Sequence, residues 1–152
     1  MVPMFLRAVL AFLALPGIVA FAVPIAWLVA GGHTRPAVPL GLLPLVVGCA
    51  ALLWCVRDFY VAGKGTLAPW SPPAHLVEVG LYRRSRNPMY VAVTLILLGW
   101  AITFAVPGLL LYALAIAVAF HLRVVFGEEP WLARTHGARW EDYARRVPRW
   151  FW

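Results

Sequence analysis

Long apolar stretches are the feature that most limits what this 152-residue chain can fold into. Four of them, each with no more than one Lys, Arg, Asp or Glu, lie at about residues 8–30, 37–57, 88–106 and 108–126. A helix rises about 1.5 Å per residue, so about 20 apolar residues cross the roughly 30 Å hydrocarbon core of a bilayer. The sequence therefore predicts an all-α integral membrane protein with four transmembrane helices in a single domain, residues 1–152.

The charged residues are concentrated in two polar stretches. All six acidic residues and all but two of the 13 basic ones fall in residues 57–86 and 123–149. Positively charged segments tend to stay on the cytoplasmic side of a membrane. The sequence thus predicts that both termini are cytoplasmic, together with two segments, 63–90 and 123–148, that carry the candidate site. The net charge of +7 then reflects membrane flanks, and we do not expect a nucleic-acid partner.

The first apolar stretch has a competing interpretation. Ala20-Phe21-Ala22 fits the small-residue site at which a signal peptide is cleaved. The apolar run continues through Val29, beyond the usual hydrophobic region of a signal peptide. We therefore expect a retained transmembrane helix. Pro16 and Pro24 lie inside it, so neighbouring helices must satisfy the carbonyl groups that proline leaves unpaired.

The segments outside the four spans differ in character. Residues 63–73 contain three prolines and two glycines, which predict an irregular loop. From Glu128 to Arg146, charged residues alternate with aromatic and apolar ones, and Pro130 suits a first helical turn. This pattern predicts a C-terminal amphipathic helix lying at the cytoplasmic interface.

Glu128, Glu129 and Arg123 are candidate functional residues at the cytoplasmic end of the fourth span. Each also has a purely structural interpretation, because carboxylates before Pro130 can cap a helix and an arginine at a helix end can snorkel. Successive residues on a helix point about 100° apart. At most one of the two glutamates is therefore expected to face a pocket, with Arg123 as an anion site or as its partner.

Two ordered motifs flank this glutamate pair. The upstream one is His75-Leu76-Val77-x-x-Gly80-x-Tyr82-x-x-x-Arg86-Asn87-Pro88-x-Tyr90, and the downstream one is Gly137-x-x-Trp140-x-x-Tyr143-x-x-Arg146-Val147-Pro148. Their order resembles that of the isoprenylcysteine carboxyl methyltransferases and the related membrane phospholipid methyltransferases. The resemblance covers about Gly63 to Pro148, more than half of the chain.

The resemblance implies a methyltransferase that holds S-adenosylmethionine (SAM) at the cytoplasmic membrane face. The residues that match the family's cofactor site are His75, Leu76, Val77, Tyr82, Asn87, Pro88, Met89, Tyr90, Glu128 and Glu129. Arg123 is the nearest match to an arginine that contacts substrate in the family, and Val124 is the alternative register. The family usually has histidine at the position of Asn87, and asparagine forms hydrogen bonds but cannot titrate.

The expected chemistry needs few protein groups. The methyl group of SAM is pre-activated by the sulfonium, so the absence of a catalytic triad does not argue against the resemblance, and we expect no metal. The expected acceptor is lipid-like or a small hydrophobic molecule: a prenylcysteine carboxylate, a phospholipid amine or a small thiol. The alternatives are an NADPH-dependent enzyme of the sterol-reductase type and a non-catalytic four-helix membrane protein. Oligomeric state stays open, because small residues in the first two spans suit either internal packing or dimerisation.

Overall fold

Helices form all of the regular structure in the described residues, which are 6, 10–11, 13–64 and 74–151 of this computed structural model. The helices are α1, with a π-helical part Leu13–Ala22 and an α-helical part Val23–Ala30, then α2 (Leu42–Val61), α3 (Pro88–Phe104), α4 (Pro107–Arg123), α5 (Glu129–His136) and α6 (Ala138–Arg146). Short helical turns lie at Pro39–Gly41, Gly80–Arg83 and Val124–Glu128. The prediction of an all-α chain is confirmed for these residues. Most of the expected irregular loop, and the start of the first expected span, lie outside them.

Two helices in the described part of the chain are long and apolar enough to cross a membrane, Pro39–Val61 and Pro107–His136. Two further apolar helices, Ala14–Ala30 and Pro88–Phe104, are shorter. The 17 residues of Pro88–Phe104 span about 26 Å, slightly less than a typical hydrocarbon core. Membrane crossing by all four helices therefore stays a prediction.

Helix α3 is the centre of the packing. Its buried residues include Ala92, Ile96 and Leu97, which pack with Leu52 of α2 and Ala113 of α4. Glycines bring the α2 and α3 backbones together. A Cβ atom on Gly99 would lie 2.6 Å from the backbone nitrogen of Leu45, and one on Gly48 would lie 2.8 Å from the carbonyl oxygen of Ala92. Small residues in the second span therefore serve packing within the chain.

Helices α3 and α4 form an antiparallel hairpin. The connection is tight because Ala105 adopts a left-handed conformation, φ 53°, and ends α3. Pro107 then begins α4, where its missing N–H leaves no helical hydrogen bond unmade. The hairpin returns the chain to the side of the molecule where α3 began, so Tyr90 and the residues after α4 lie close together.

Helix α1 is fastened to the hairpin at a proline. Pro24 has no N–H, so in this helix the carbonyl groups four and five residues earlier, those of Ala20 and Val19, lack their usual donor. The indole Nε1 of Trp100 donates to the Ala20 oxygen at 2.9 Å, and the hydroxyl of Tyr112 donates to the Val19 oxygen at 3.0 Å. Side chains from α3 and α4 thus supply donors to the carbonyl groups near Pro24, as expected of neighbouring helices from the sequence.

The residues after α4 form two helices where one was expected. The fourth helix does not end near residue 126, because the π-helical turn Val124–Glu128 carries it into α5. Gly137, with φ 51°, then breaks the chain direction before α6. The apolar face of α6 is covered by protein, since Trp140 and Tyr143 are buried in one cluster with Leu76. The interfacial location of this region remains a prediction.

Candidate functional site

A cavity of about 970 Å³ lies where the two polar segments meet. Leu15, Pro16 and Val19 of α1 line one part of it, Val93 and Phe120 line another, and residues of both polar segments complete the wall. Its volume is at the upper end of the range for small-molecule and cofactor sites, about 300–1,000 Å³. The hairpin of α3 and α4 positions this cavity, because it brings the start of α3 beside the end of α4.

Most of the residues expected from the resemblance lie around this cavity. The lining includes His75, Leu76, Val77, Tyr82, Asn87, Met89, Tyr90, Arg123 and Glu128. Pro88 is buried at the first turn of α3, and Glu129 points elsewhere, so neither lines the cavity. The proximity of these residues is a structural finding, and their binding of a cofactor stays a prediction.

Glu128 is the glutamate that faces the cavity. Its Oε1 accepts a hydrogen bond from the hydroxyl of Tyr90 and another from Nε of Arg123, 2.7 Å long. Tyr90 lies in the first turn of α3, and its ring stacks on Phe120 with the centroids 4.3 Å apart. These contacts join the upstream motif to the glutamate pair across 38 residues of sequence. Arg123 is therefore the partner of a glutamate.

Glu129 has different partners, all of them arginines. Both of its carboxylate oxygens accept from the guanidinium of Arg149, at 2.9 and 2.8 Å, and Nη1 of Arg86 lies 3.0 Å from Oε1. These hydrogen bonds raise the pKa of Arg149, whereas burial lowers that of Arg86. The side chains of Arg86 and Glu129 are only 12% and 15% exposed. Helix capping, the structural interpretation that the sequence offered for these glutamates, did not reveal this partly buried ion-pair cluster.

Tyr82 is buried in the helical turn Gly80–Arg83 beside the cavity. The hydroxyl of Tyr143 donates to the Tyr82 carbonyl oxygen at 2.7 Å, which ties α6 to this turn. Burial raises the pKa of both tyrosines above its usual value near 10. Both hydroxyl groups therefore remain protonated at neutral pH, and that of Tyr143 serves as a neutral hydrogen-bond donor.

Asn87 lines the cavity and also binds the backbone of residues that follow α6. Its Nδ2 donates to the carbonyl oxygen of Arg149 at 3.0 Å, and the hydroxyl of Ser85 donates to the same oxygen at 3.2 Å. The backbone nitrogen of Arg86 donates to the carbonyl oxygen of Pro148 at 2.9 Å. Asparagine at this position therefore has a hydrogen-bonding role that needs no titratable group.

The family model of the phospholipid methyltransferases matches residues 37–139, about two-thirds of the chain. The chain belongs to the phospholipid methyltransferase family. Membership confirms the resemblance seen in the motifs and makes this chain a methyltransferase, and its two long apolar helices agree with a membrane enzyme. Comparison with curated proteins and with solved structures gave no significant match.

Several residues around the site of this family member are not apparent from its motifs. Phe120 stacks on Tyr90. It lies three residues before Arg123 and therefore on the same helix face, which is the only sequence signal that could have placed it at the site. Trp140 and Arg86 belong to the two motifs, but their contact is not apparent from them: the Trp140 ring faces the Arg86 guanidinium, with 5.4 Å between the guanidinium carbon and the ring centroid. The α1 residues of the cavity wall precede the matched region, and nothing in their apolar sequence distinguishes them from residues that face lipid.

Proposed function

We propose that the chain is an integral membrane methyltransferase that uses SAM and transfers its methyl group to a lipid-like or small hydrophobic acceptor. In this proposal four helices cross the membrane, and both termini and the cavity mouth are cytoplasmic. The proposed cofactor contacts come from the upstream motif and from Glu128, and Arg123 positions the acceptor. Pro88 and Glu129 support these contacts from behind the cavity wall.

One observation carries the proposal. Glu128 accepts hydrogen bonds from Tyr90 and Arg123 inside a cavity that the matched motifs surround. SAM offers an ammonium group, a carboxylate, ribose hydroxyls and a flat base. The Glu128 carboxylate can accept from the ammonium group, and aromatic rings that line the 970 Å³ cavity can pack on the base. The donor set of the cavity therefore suits the cofactor that the family implies.

The protein has a limited chemical task in such a reaction. SAM supplies a methyl group that is already activated for transfer. The chain must hold donor and acceptor in line and exclude water from the space between them. Buried Tyr82 and the stacked Tyr90–Phe120 pair provide rigid walls for that space. A carboxylate or thiolate acceptor needs no general base, and an amine needs only to lose a proton.

The apolar part of the cavity wall supports a hydrophobic acceptor. Leu122 and Phe126 line the cavity, yet they are 49% and 76% exposed on the outer surface of the helix. In a membrane these side chains would contact lipid. An acceptor with an acyl or prenyl chain would therefore enter sideways from the bilayer and keep its chain among apolar groups.

The decisive experiment is calorimetric titration of the detergent-solubilised protein with S-adenosylhomocysteine. We expect saturable binding by the wild type. Affinity should fall by roughly tenfold or more in Glu128→Gln and in Tyr90→Ala, because hydrogen bonds to charged groups are worth about 1.5–3 kcal/mol. Glu141→Gln, which changes an exposed glutamate on α6, is the matched control and should bind normally.

Each other result of this titration has a clear meaning. No saturable binding by the folded wild type would refute the proposed function. Normal binding by both site variants would leave the function standing but contradict the assigned site. Saturable binding of NADPH in place of S-adenosylhomocysteine would favour the reductase alternative.

A further inference from the structure

A short strap, residues 147–150, follows α6 and is bound by residues beside the candidate site. The strap lies beyond the residues that match the family model. Ser85, Arg86 and Asn87 bind its backbone through the carbonyl oxygens of Pro148 and Arg149. Beyond them, the ring of Trp150 stacks on His121 with the centroids 6.0 Å apart. The strap therefore contacts both polar segments and the end of α4.

Arg149 is the residue of the strap that connects these parts. Its carbonyl oxygen is held by Ser85 and Asn87, and its guanidinium binds both carboxylate oxygens of Glu129. Two parallel hydrogen bonds between a guanidinium and a carboxylate fix direction as well as distance. Glu129 is therefore held in one orientation relative to the upstream motif.

Glu128 lies where the helix changes geometry, directly before Glu129. It ends the π-helical turn Val124–Glu128, a rare geometry that is frequent at functional sites. Gly127 precedes it, and a Cβ atom added there would have no neighbour within 4 Å. The turn is therefore open on the side of Gly127, although Val124 at its start is fully buried. The next residue along the chain, Glu129, is the anchored one.

We propose that Arg149 is a positioning residue for methyl transfer: by anchoring Glu129, it holds the adjacent Glu128 in the cavity. This inference rests on the proposed function, because it assigns Arg149 a role only through the cofactor contact of Glu128. Arg149 itself is not among the residues that line the cavity. The guanidinium of Arg149 therefore acts on ligand binding indirectly, through Glu129, whose neighbour along the chain is Glu128.

A double-mutant cycle tests this role with S-adenosylhomocysteine as the probe. Arg149→Ala should weaken binding by about tenfold in the wild-type background, the loss expected for a charge-assisted contact. In the Glu128→Gln background the same change should have little further effect, because the side chain that it positions is already disabled. Arg145→Ala is the matched control, since Arg145 forms an exposed ion pair with Asp142 and should not alter binding.

Chemical rescue separates positioning from a general loss of structure. Guanidinium ion at millimolar concentration should restore part of the affinity of Arg149→Ala, because it can occupy the place of the missing side chain against Glu129. Arg149→Lys keeps the charge but cannot bond both oxygens in a fork, so it should show an intermediate loss. If Arg149→Ala does not fold, Arg149→Lys is carried through the same cycle.

The outcomes for the two proposals differ. If the folded wild type binds no S-adenosylhomocysteine, the proposed function fails before Arg149 is considered. If the wild type binds in a Glu128-dependent manner but Arg149→Ala and Arg149→Lys bind equally well, the positioning role is wrong. An equal loss in both backgrounds would also overturn it, because Arg149 would then act independently of Glu128.

Discussion

At the scale of single residues, the glutamate pair shows how neighbours on one helix acquire different roles. Glu128 faces the cavity with Tyr90 and Arg123, whereas Glu129 faces two arginines from other parts of the chain. Helix geometry predicted the divergence of the two side chains. Their partners could not be predicted, because Arg86 and Arg149 lie 43 and 20 residues from Glu129 and no local pattern encodes such pairings.

Replacing Glu129 by glutamine should reduce stability. The change leaves Arg86 and Arg149 facing each other in a partly buried place without the carboxylate that compensates them. We expect the free energy of unfolding to fall by about 2 kcal/mol, less than the roughly 3–5 kcal/mol for breaking a fully buried ion pair, because the side chain of Arg149 is partly exposed. Thermal unfolding in detergent measures this loss. The exposed residue Glu141, changed to glutamine, should give an unfolding temperature like that of the wild type.

The buried tyrosines predict a loss of stability at high pH. Burial raises the folded-state pKa of Tyr82 and Tyr143 above the value near 10 of an unfolded chain. Their stabilising effect is thus complete below pH 10 and is lost as pH rises towards the folded-state pKa. Each should contribute about 1.4 kcal/mol of loss per pH unit above 10.

Unfolding measured from pH 8 to pH 11 tests this dependence. Tyr143→Phe removes one titrating group, so its stability should decline less steeply above pH 10 than that of the wild type. Equal slopes for the two proteins would contradict the assignment of Tyr143 to this effect.

Gly80 is constrained by both its backbone and its surroundings. Its φ is +56°, and an added Cβ atom would collide with the carboxylate of Asp58 and lie 2.7 Å from Nε1 of Trp54. Gly80→Ala should therefore destabilise the turn that carries Tyr82, by about 1–3 kcal/mol. Thermal unfolding measures the change. Gly32→Ala is the control, because Gly32 also has positive φ but has no atom within 4 Å of an added Cβ.

At the scale of the elements, the hydrophobic pattern and the positions of proline and glycine predicted most helix positions. Pro88 and Pro107 begin the helices α3 and α4, close to the starts of the third and fourth predicted spans. The hydrophobic pattern did not predict the helix boundaries after residue 123. Gly127 did not end the helix, because a π-helical turn accommodated it. Gly137 did end a helix, because its positive φ changes the direction of the backbone between α5 and α6. Composition alone does not distinguish these two glycines.

The contact between α2 and α3 provides a test at this scale. A Cβ atom on Gly99 would meet backbone atoms of Leu45 at 2.6–2.7 Å, and the backbone there cannot yield as a flexible side chain would. Gly99→Ala should separate the two helices and destabilise the protein by about 1–3 kcal/mol. Gly127→Ala is the matched control. It has open space around it and should preserve or raise the unfolding temperature.

At the scale of the whole molecule, charge distribution yields a testable orientation. Arg84 belongs to the polar segment expected in the cytoplasm, whereas Thr34 lies in the exposed connection between α1 and α2. With Cys49 and Cys55 replaced by serine, Thr34→Cys should react with a membrane-impermeant maleimide only from outside the membrane. Arg84→Cys should react only from the cytoplasmic side. Labelling of both variants from the same side would contradict the four-helix topology.

Pro24 has a consequence for how the first helix is aligned. Only one pair of carbonyl groups on α1 is released by this proline, and Trp100 and Tyr112 donate to that pair. Sliding or rotating α1 by one residue would present carbonyl groups that are already bonded within the helix. The missing N–H of Pro24 therefore contributes to fixing both the depth and the rotation of α1 against α3 and α4. It thereby helps to decide that Leu15, Pro16 and Val19 are the α1 side chains facing the cavity.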